Sequence, residues 1–332
     1  MSRPSALAPL DRLSARLGVD PEQVQAAGGN TSLKEDGILW VKASGLWLAD
    51  ALERDVFVPV RLRQVLDAVA ADAADPVGPA VVAERNPAGL RPSIETTLHA
   101  LLPHRVVVHT HSVRTIALAI REDARARVAE RLDGLAWAFV PYRKPGLPLT
   151  RAVAEALRAG PADVLVLGNH GLVVGGDSVD AVERLLAEVE RRVDAPVQPE
   201  PVVDAAALAA AAQRLGLRPV AHARAMPLAG DPRRIARATA GSLYPDHVIF
   251  LGPAAATPES AAAGHPGKLV IVEGAGLLLP EGANRSADEL ALCLALVLER
   301  VPPDAALARL TADEEAELLD WDAEKYRQQL AR

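Results

Sequence analysis

The amino-acid sequence predicts an α/β protein, and three observations carry that expectation. Helix-period and strand-like segments alternate through residues 1–190. Two apolar strands in that stretch each run into histidine. A proline-rich link at residues 195–201 (Ala-Pro-Val-Gln-Pro-Glu-Pro) is followed by a shorter run of helices and strands. The expected division is therefore a larger unit at residues 1–194 and a smaller C-terminal α/β subdomain at 202–332. The chain of 332 residues is half hydrophobic but only 3% aromatic, so its core must be built mainly from Ala, Val and Leu.

Taken in order, a short amphipathic helix is expected near residues 7–17, leading into the turn-rich Ala27-Gly28-Gly29-Asn30-Thr31-Ser32. Residues 37–42 (Gly-Ile-Leu-Trp-Val-Lys) read as a strand closed by Ala43-Ser44-Gly45, and residues 61–71 as a helix. After a loop rich in Pro and Gly, Ser93 is a candidate N-cap for a helix over 94–102. Val106-Val107-Val108 has the composition of a buried strand, and a helix over 113–120 follows it. The turn Lys144-Pro145-Gly146 introduces a helix over 150–159. Residues 164–167 form a second apolar strand ending in Gly168-Asn169-His170-Gly171, with a strand resuming at 172–174 and a helix over 180–193. Beyond the link the pattern gives an alanine-rich helix, strands at 247–251 and 269–272, and helices at 287–300 and 311–330.

Composition narrows the function. A net charge of −7 argues against a general nucleic-acid or membrane-surface binder, which is usually basic. The single cysteine, Cys293, excludes an intramolecular disulfide and a multi-cysteine zinc cluster, so any metal ligands must be His, Asp or Glu. The first residues contain no long apolar segment, and no apolar run approaches the roughly 20 residues that span a bilayer. A cytoplasmic setting is expected.

Two constellations can carry chemistry. In the first, Val106-Val107-Val108-His109-Thr110-His111 places two imidazoles on one strand face, because side chains alternate along a strand. With His170 at the end of the other apolar strand, the set has the composition of a catalytic zinc site, in which the fourth position is left to water or substrate. The alternative is three strand-end histidines held by packing. Glu95 is the acid/base candidate, since the helix and strand that follow it return the chain to the histidines; it can equally complement the helix dipole. His99, one helical turn on, is either a supporting partner or a core histidine. The second constellation is a set of small polar turns, Gly28-Gly29-Asn30-Thr31-Ser32, Ser44-Gly45 and Ser93, whose N–H groups and hydroxyls suit an anion, or which are ordinary turns. None fits a Walker A or G-x-G-x-x-G pattern, and Gly274-Ala275-Gly276 is too little for a dinucleotide site.

Gly-Gly-Asn-Thr-Ser, Val-Lys-Ala-Ser-Gly, Pro-Ser-Ile-Glu-Thr-Thr-Leu-His, Val-His-Thr-His and Asn-His-Gly-Leu-Val occur here in one order. That order resembles the class II aldolase/adducin family, most closely the aldolase part of bifunctional rhamnulose-1-phosphate aldolase/alcohol dehydrogenase proteins. The resemblance covers residues 25–190 strongly and the tail, through Tyr-Pro-Asp-His-Val-Ile, more loosely. It implies a three-layer α/β/α fold and a divalent ion, usually Zn2+ (or Mn2+ or Co2+), on His109, His111 and His170. It makes Glu95 the proton shuttle, and Gly29, Asn30, Thr31, Ser44, Gly45 and Ser93 the phosphate contacts. The implied reaction is reversible cleavage of a ketose 1-phosphate to dihydroxyacetone phosphate and an aldehyde, in a homotetramer.

Epimerases, dehydratases and decarboxylases share the metal site, and adducin-type members are interaction modules without metal, so these readings stay open. Two features depart from the pattern. Ser93 is followed by Ile94 where shorter family members have a second serine. The chain stops soon after Trp321-Asp322-Ala323, so no Rossmann domain for the dehydrogenase half is expected. Tyr142 and His247 are weaker candidates for completing the site, the first from a neighbouring subunit; either can be plain packing.

Overall fold

The structure, a computed structural model, describes residues 3–320. Its centre is a seven-stranded mixed sheet in the order β3-β2-β1-β4-β7-β6-β5. The strands are β1 (Asn30–Glu35), β2 (Ile38–Lys42), β3 (Phe57–Arg61), β4 (Val106–Thr110), β5 (Trp137–Val140), β6 (Val164–Leu167) and β7 (Gly171–Gly176). All neighbouring pairs are antiparallel except β5 and β6.

Alternation along β4 divides the core into two layers. Val106 and Val108 join one cluster with Leu10 and Leu13 of the helix Leu7–Val19 and Val182 and Val189 of the helix Val179–Val193. Val107 faces the opposite side, with Leu98 of the helix Thr96–Leu101 and Leu149 and Val153 of the helix Leu147–Ala156. Helices thus cover both faces, the expected three-layer arrangement. His109, two residues after Val107, lies on the same face as the helix Thr96–Leu101, and both neighbours of β4 run past it: Asn30 of β1 and Val173 of β7 are its register partners.

The tail adds a three-stranded sheet, β8-β10-β9, from β8 (Leu217–Pro219), β9 (Val270–Val272) and β10 (Gly276–Pro280). Its main helix, Arg285–Leu298, is capped by Asn284 and buried on nearly every side. Leu290 and Leu294 of that helix belong to one cluster with Val113, Ile116 and Ile120, so the helix Val113–Ala119 serves the larger sheet and the tail together. Residues 195–201 form neither helix nor strand, as a linker should, but they are docked: the Gln198 N–H donates to the Glu299 carbonyl at 2.9 Å. Among the described residues no helix is long and apolar enough to cross a membrane.

Several expectations need correction. Residues 247–251 are a buried π-helical turn, not a strand; a short apolar run of five has no periodicity that separates the two, and here it packs on the tail's helix. The helix expected over 94–102 begins at Thr96, with Glu95 rather than Ser93 at its N-cap. Residues 30–35, part of which reads as turn, are β1, while β3, β5, β8 and β10 carry too little alternation to be seen in the sequence. The last helix is described from Ala312 to Leu319; the remainder of the 311–330 expectation lies outside the described residues.

Candidate metal centre

β4 delivers His109 and, one residue past its end, His111; the turn between β6 and β7 delivers His170. The turn is tight because Asn169 takes a left-handed conformation (φ 52°). Gly171 then lets β7 close on β4, since a Cβ there would collide with the Thr110 carbonyl oxygen. The three imidazole centroids lie 4.9, 5.0 and 5.2 Å apart, and one ring nitrogen from each falls within 4.8 Å of the others. All three rings are buried. Burial lowers His109 below the usual histidine range and pushes His170 down to about 3, so the neutral, metal-binding form is favoured.

Glu95 faces this cluster. One carboxylate oxygen lies 3.4 Å from His109 Nε2 and accepts a hydrogen bond from the Asn30 side-chain amide at 2.8 Å; the other lies 3.7 Å from His170 Nε2. Burial alone would raise this carboxyl, but electrostatic attraction to His109 and His170, with the hydrogen bond from the Asn30 amide, outweighs burial and holds it at about 2. Ser93 Oγ accepts the Glu95 backbone N–H at 3.2 Å and so aims the carboxylate. His99 acts one step behind. Its Nδ1 is 2.7 Å from Ser32 Oγ and its Nε2 meets Asn30 Oδ1, which leaves the Asn30 NH2 free to point at Glu95. This network assigns the Nε2–H tautomer to His99.

The polar turns converge because their backbones are zipped together. Ser44 N–H donates to Arg91 C=O at 2.8 Å and Ser93 N–H to Lys42 C=O at 3.0 Å, around a bridge between Ala43 and Pro92. Gly29, Asn30, Ser44, Gly45, Ser93, Glu95, His111 and His170 line one small pocket; His109 is not among the lining residues but is fully buried against Glu95 and the other two imidazoles. Thr31 is not among them: its side chain turns inward and shares a 2.7 Å hydrogen bond with Ser14. Tyr142 packs against the tail's core, and His247 takes the Leu243 N–H on its Nδ1 at 3.3 Å; neither lines the pocket.

Two pocket residues escaped the sequence reading. Lys42, 2% exposed, ends β2 and donates from Nζ to the Ala27 carbonyl at 2.8 Å; a lysine closing a buried strand was the available signal. Asp246, 3% exposed, places a carboxylate oxygen 2.9 Å from His111 Nδ1. No spacing rule links a residue so far along the chain to His111.

The donor set suits a metal ion. His109 Nδ1 donates to the Leu172 carbonyl at 3.0 Å, leaving His109 Nε2, His170 Nδ1 and one Glu95 oxygen buried with no hydrogen-bond partner. Buried polar atoms are rarely left so, and a divalent cation at the cluster would satisfy His109 Nε2 and the Glu95 oxygen, since the carboxylate faces His109 and His170 there.

Burial of neutral imidazoles also makes the apoprotein acid-sensitive. Burial pushes His99, His170 and His247 each from 6.5 to about 3. Below pH 6.5 the unfolded chain takes up these protons and the folded chain does not, so this stability is complete above pH 6.5 and drains as pH falls toward 3. Each group accounts for about 2 kcal/mol at pH 5. The melting temperature of chelator-treated protein should fall steeply from pH 6.5 to 4.5; a flat profile would show that the imidazoles protonate without opening the fold.

A mixed sheet layered between helices, with three imidazoles at its strand ends and the carboxylate of a helix N-cap residue facing them, defines an α/β protein with a candidate metal centre. Residues 12–195 match the family described as Class II Aldolase and Adducin N-terminal domain, and the chain belongs to that family. Over 178 residues it is 31% identical to the "Uncharacterized oxidoreductase YuxG" of Bacillus subtilis (strain 168), a match covering 49% of this chain and 25% of that relative. The chain thus spans about a quarter of that protein's length. The N-terminal class II aldolase domain of a conserved protein from Thermoplasma acidophilum is similar with 27% identity and a TM-score of 0.50, covering 58% of this chain and 94% of that one. An L-fuculose-1-phosphate aldolase from Thermus thermophilus is similar at 18% identity and a TM-score of 0.39, covering 57% and 91%.

Proposed function

We propose that the protein is a metal-dependent class II aldolase that reversibly cleaves a ketose 1-phosphate of the rhamnulose 1-phosphate type into dihydroxyacetone phosphate and an aldehyde. The observation that carries this reading is one pocket in which an unpartnered Glu95 oxygen faces three buried imidazoles beside the polar turns. His109, His111 and His170 are the proposed ligands of Zn2+, or of another divalent cation such as Mn2+ or Co2+. The ion supplies Lewis acidity for the negative charge that develops on substrate oxygens as the carbon–carbon bond breaks.

The chain's own groups do the rest. Glu95 is the proposed proton shuttle. In synthesis it takes a proton from the carbon beside the carbonyl of dihydroxyacetone phosphate, the carbon that then attacks the aldehyde. In cleavage it returns the proton to that carbon. Asn30 keeps the carboxylate aimed. Gly29, Asn30, Ser44, Gly45 and Ser93 offer N–H and O–H donors to the phosphate, and Lys42 a positive charge, so that binding energy remote from the reacting carbon fixes its position. In this reading residues 1–194 are the catalytic unit, residues 202–332 a subdomain closing its pocket, and the enzyme assembles as a homo-oligomer.

The test is metal analysis followed by a panel of ketose 1-phosphates, with dihydroxyacetone phosphate detected by enzymatic reduction. About one zinc per chain and product release from at least one ketose are expected. Metal without cleavage of any ketose phosphate would move the assignment to epimerisation, dehydration or decarboxylation. No metal after zinc reconstitution would leave an interaction module.

A further inference from the structure

We infer that Asp246, brought from the C-terminal segment, is a positioning residue of the metal centre: its carboxylate orients the His111 imidazole, so the site is completed in cis by the tail. The inference rests on the proposed metal site and adds to it a residue outside the HxH and Asn-His-Gly motifs.

The three histidines are not held alike. His109 is clamped within the sheet, paired with Asn30 and Val173, and its Nδ1–H is spent on the Leu172 carbonyl. His111 lies beyond the last paired residue of β4, Thr110, and so lacks that backbone clamp. What orients its ring is Asp246, with a carboxylate oxygen 2.9 Å from Nδ1, and the open space at Gly28, where a Cβ would come within 2.8 Å of the same nitrogen. A carboxylate accepting the Nδ1–H fixes the tautomer, leaves the Nε2 lone pair for a cation, and makes the imidazole a stronger donor. Both side chains are buried, 9% exposed for His111 and 3% for Asp246, so water does not compete for the bond.

The turn that carries Asp246 is itself tied to the histidine cluster. Asn169, the residue before His170, donates its side-chain amide to the Leu243 carbonyl at 2.9 Å and the Ala308 carbonyl at 3.0 Å. The His247 N–H closes the turn on the Tyr244 carbonyl at 3.1 Å, and Val248 and Ile249 anchor it in the tail's core. The strand turn holding one imidazole therefore also holds the loop that orients another. This gives the C-terminal segment a task in the site.

The experiment compares zinc affinity, by competition with a chromophoric chelator, for wild type, Asp246→Asn and Tyr244→Phe. Asparagine keeps the size and one acceptor but removes the charge. Tyr244→Phe alters the same turn without touching His111. Outer partners of metal ligands typically hold about 10–100-fold in affinity, and a loss of that size is expected for Asp246→Asn alone. Equal affinity in Asp246→Asn and wild type would overturn the inference and leave the metal reading standing. Absence of zinc from wild type would overturn both, and a matching loss in Tyr244→Phe would reduce Asp246 to a packing role. A second measurement needs no variant: long-range 1H–15N correlation on the zinc-free wild type should show His111 protonated at Nδ1, and protonation at Nε2 instead would also overturn the inference.

Discussion

Replacing His109 with alanine should take bound zinc from about one ion per chain to none and abolish turnover. The side chain is fully buried beside the other two imidazoles, its Nδ1 is committed to Leu172, and only Nε2 is left to face the cluster. A Lewis acid contributes several kcal/mol of charge stabilisation, so its loss corresponds to a rate reduction of about a thousandfold or more. The substitution also strands the Leu172 carbonyl and opens a small cavity, at about 1–3 kcal/mol in stability. Metal content by elemental analysis must therefore be read beside a melting curve. Zinc retained at one per chain in a folded His109→Ala protein would remove this histidine from the ligand set.

Glu95→Gln should behave in the opposite way, keeping zinc and losing catalysis. Glutamine has the same shape, its amide oxygen can still accept from Asn30, and the three imidazoles stay in place. What disappears is the group that accepts and returns a proton, a contribution of typically about 10²–10⁴ in rate. The decisive readout is hydrogen exchange at the carbon of dihydroxyacetone phosphate that would form the new bond. It should be rapid in wild type and nearly absent in Glu95→Gln, with KM changed little. A fully active variant would show that Glu95 only balances charge beneath the histidines.

Much of the site could be read from local pattern. Alternation along Val106–Thr110 is enough to put Val107 and His109 on one face, and the structure places Val107 against the helix Thr96–Leu101 and His109 opposite Glu95. His170 stands out because it follows a second apolar strand and lies in the Asn-His-Gly-Leu-Val segment that carries the family resemblance. Where pattern failed, long-range contact decided. Residues 30–35 have the composition of a turn at their start, yet pairing with β2 on one side and β4 on the other makes them a central strand. Ser93 has the chemistry of a helix N-cap, but it lies two residues before the observed cap, next to the bridge between Ala43 and Pro92, and its hydroxyl supports Glu95 instead. Thr31 belongs to a polar motif, yet strand alternation turns it away from the pocket toward Ser14.

By itself, then, the sequence determined the α/β class, because that follows from side-chain type and a period of two or 3.6 within one element, and it offered the three histidines and Glu95 as candidates through strand alternation and a family resemblance. Only the tertiary structure decided what surrounds them. Lys42 and Asp246 reach the pocket through the pairing of β2 and the docking of the tail, and no local period connects either of them to the histidines. The physical reason is that a hydrogen bond between distant residues depends on where packing brings two backbones together, and a one-dimensional pattern does not carry that information.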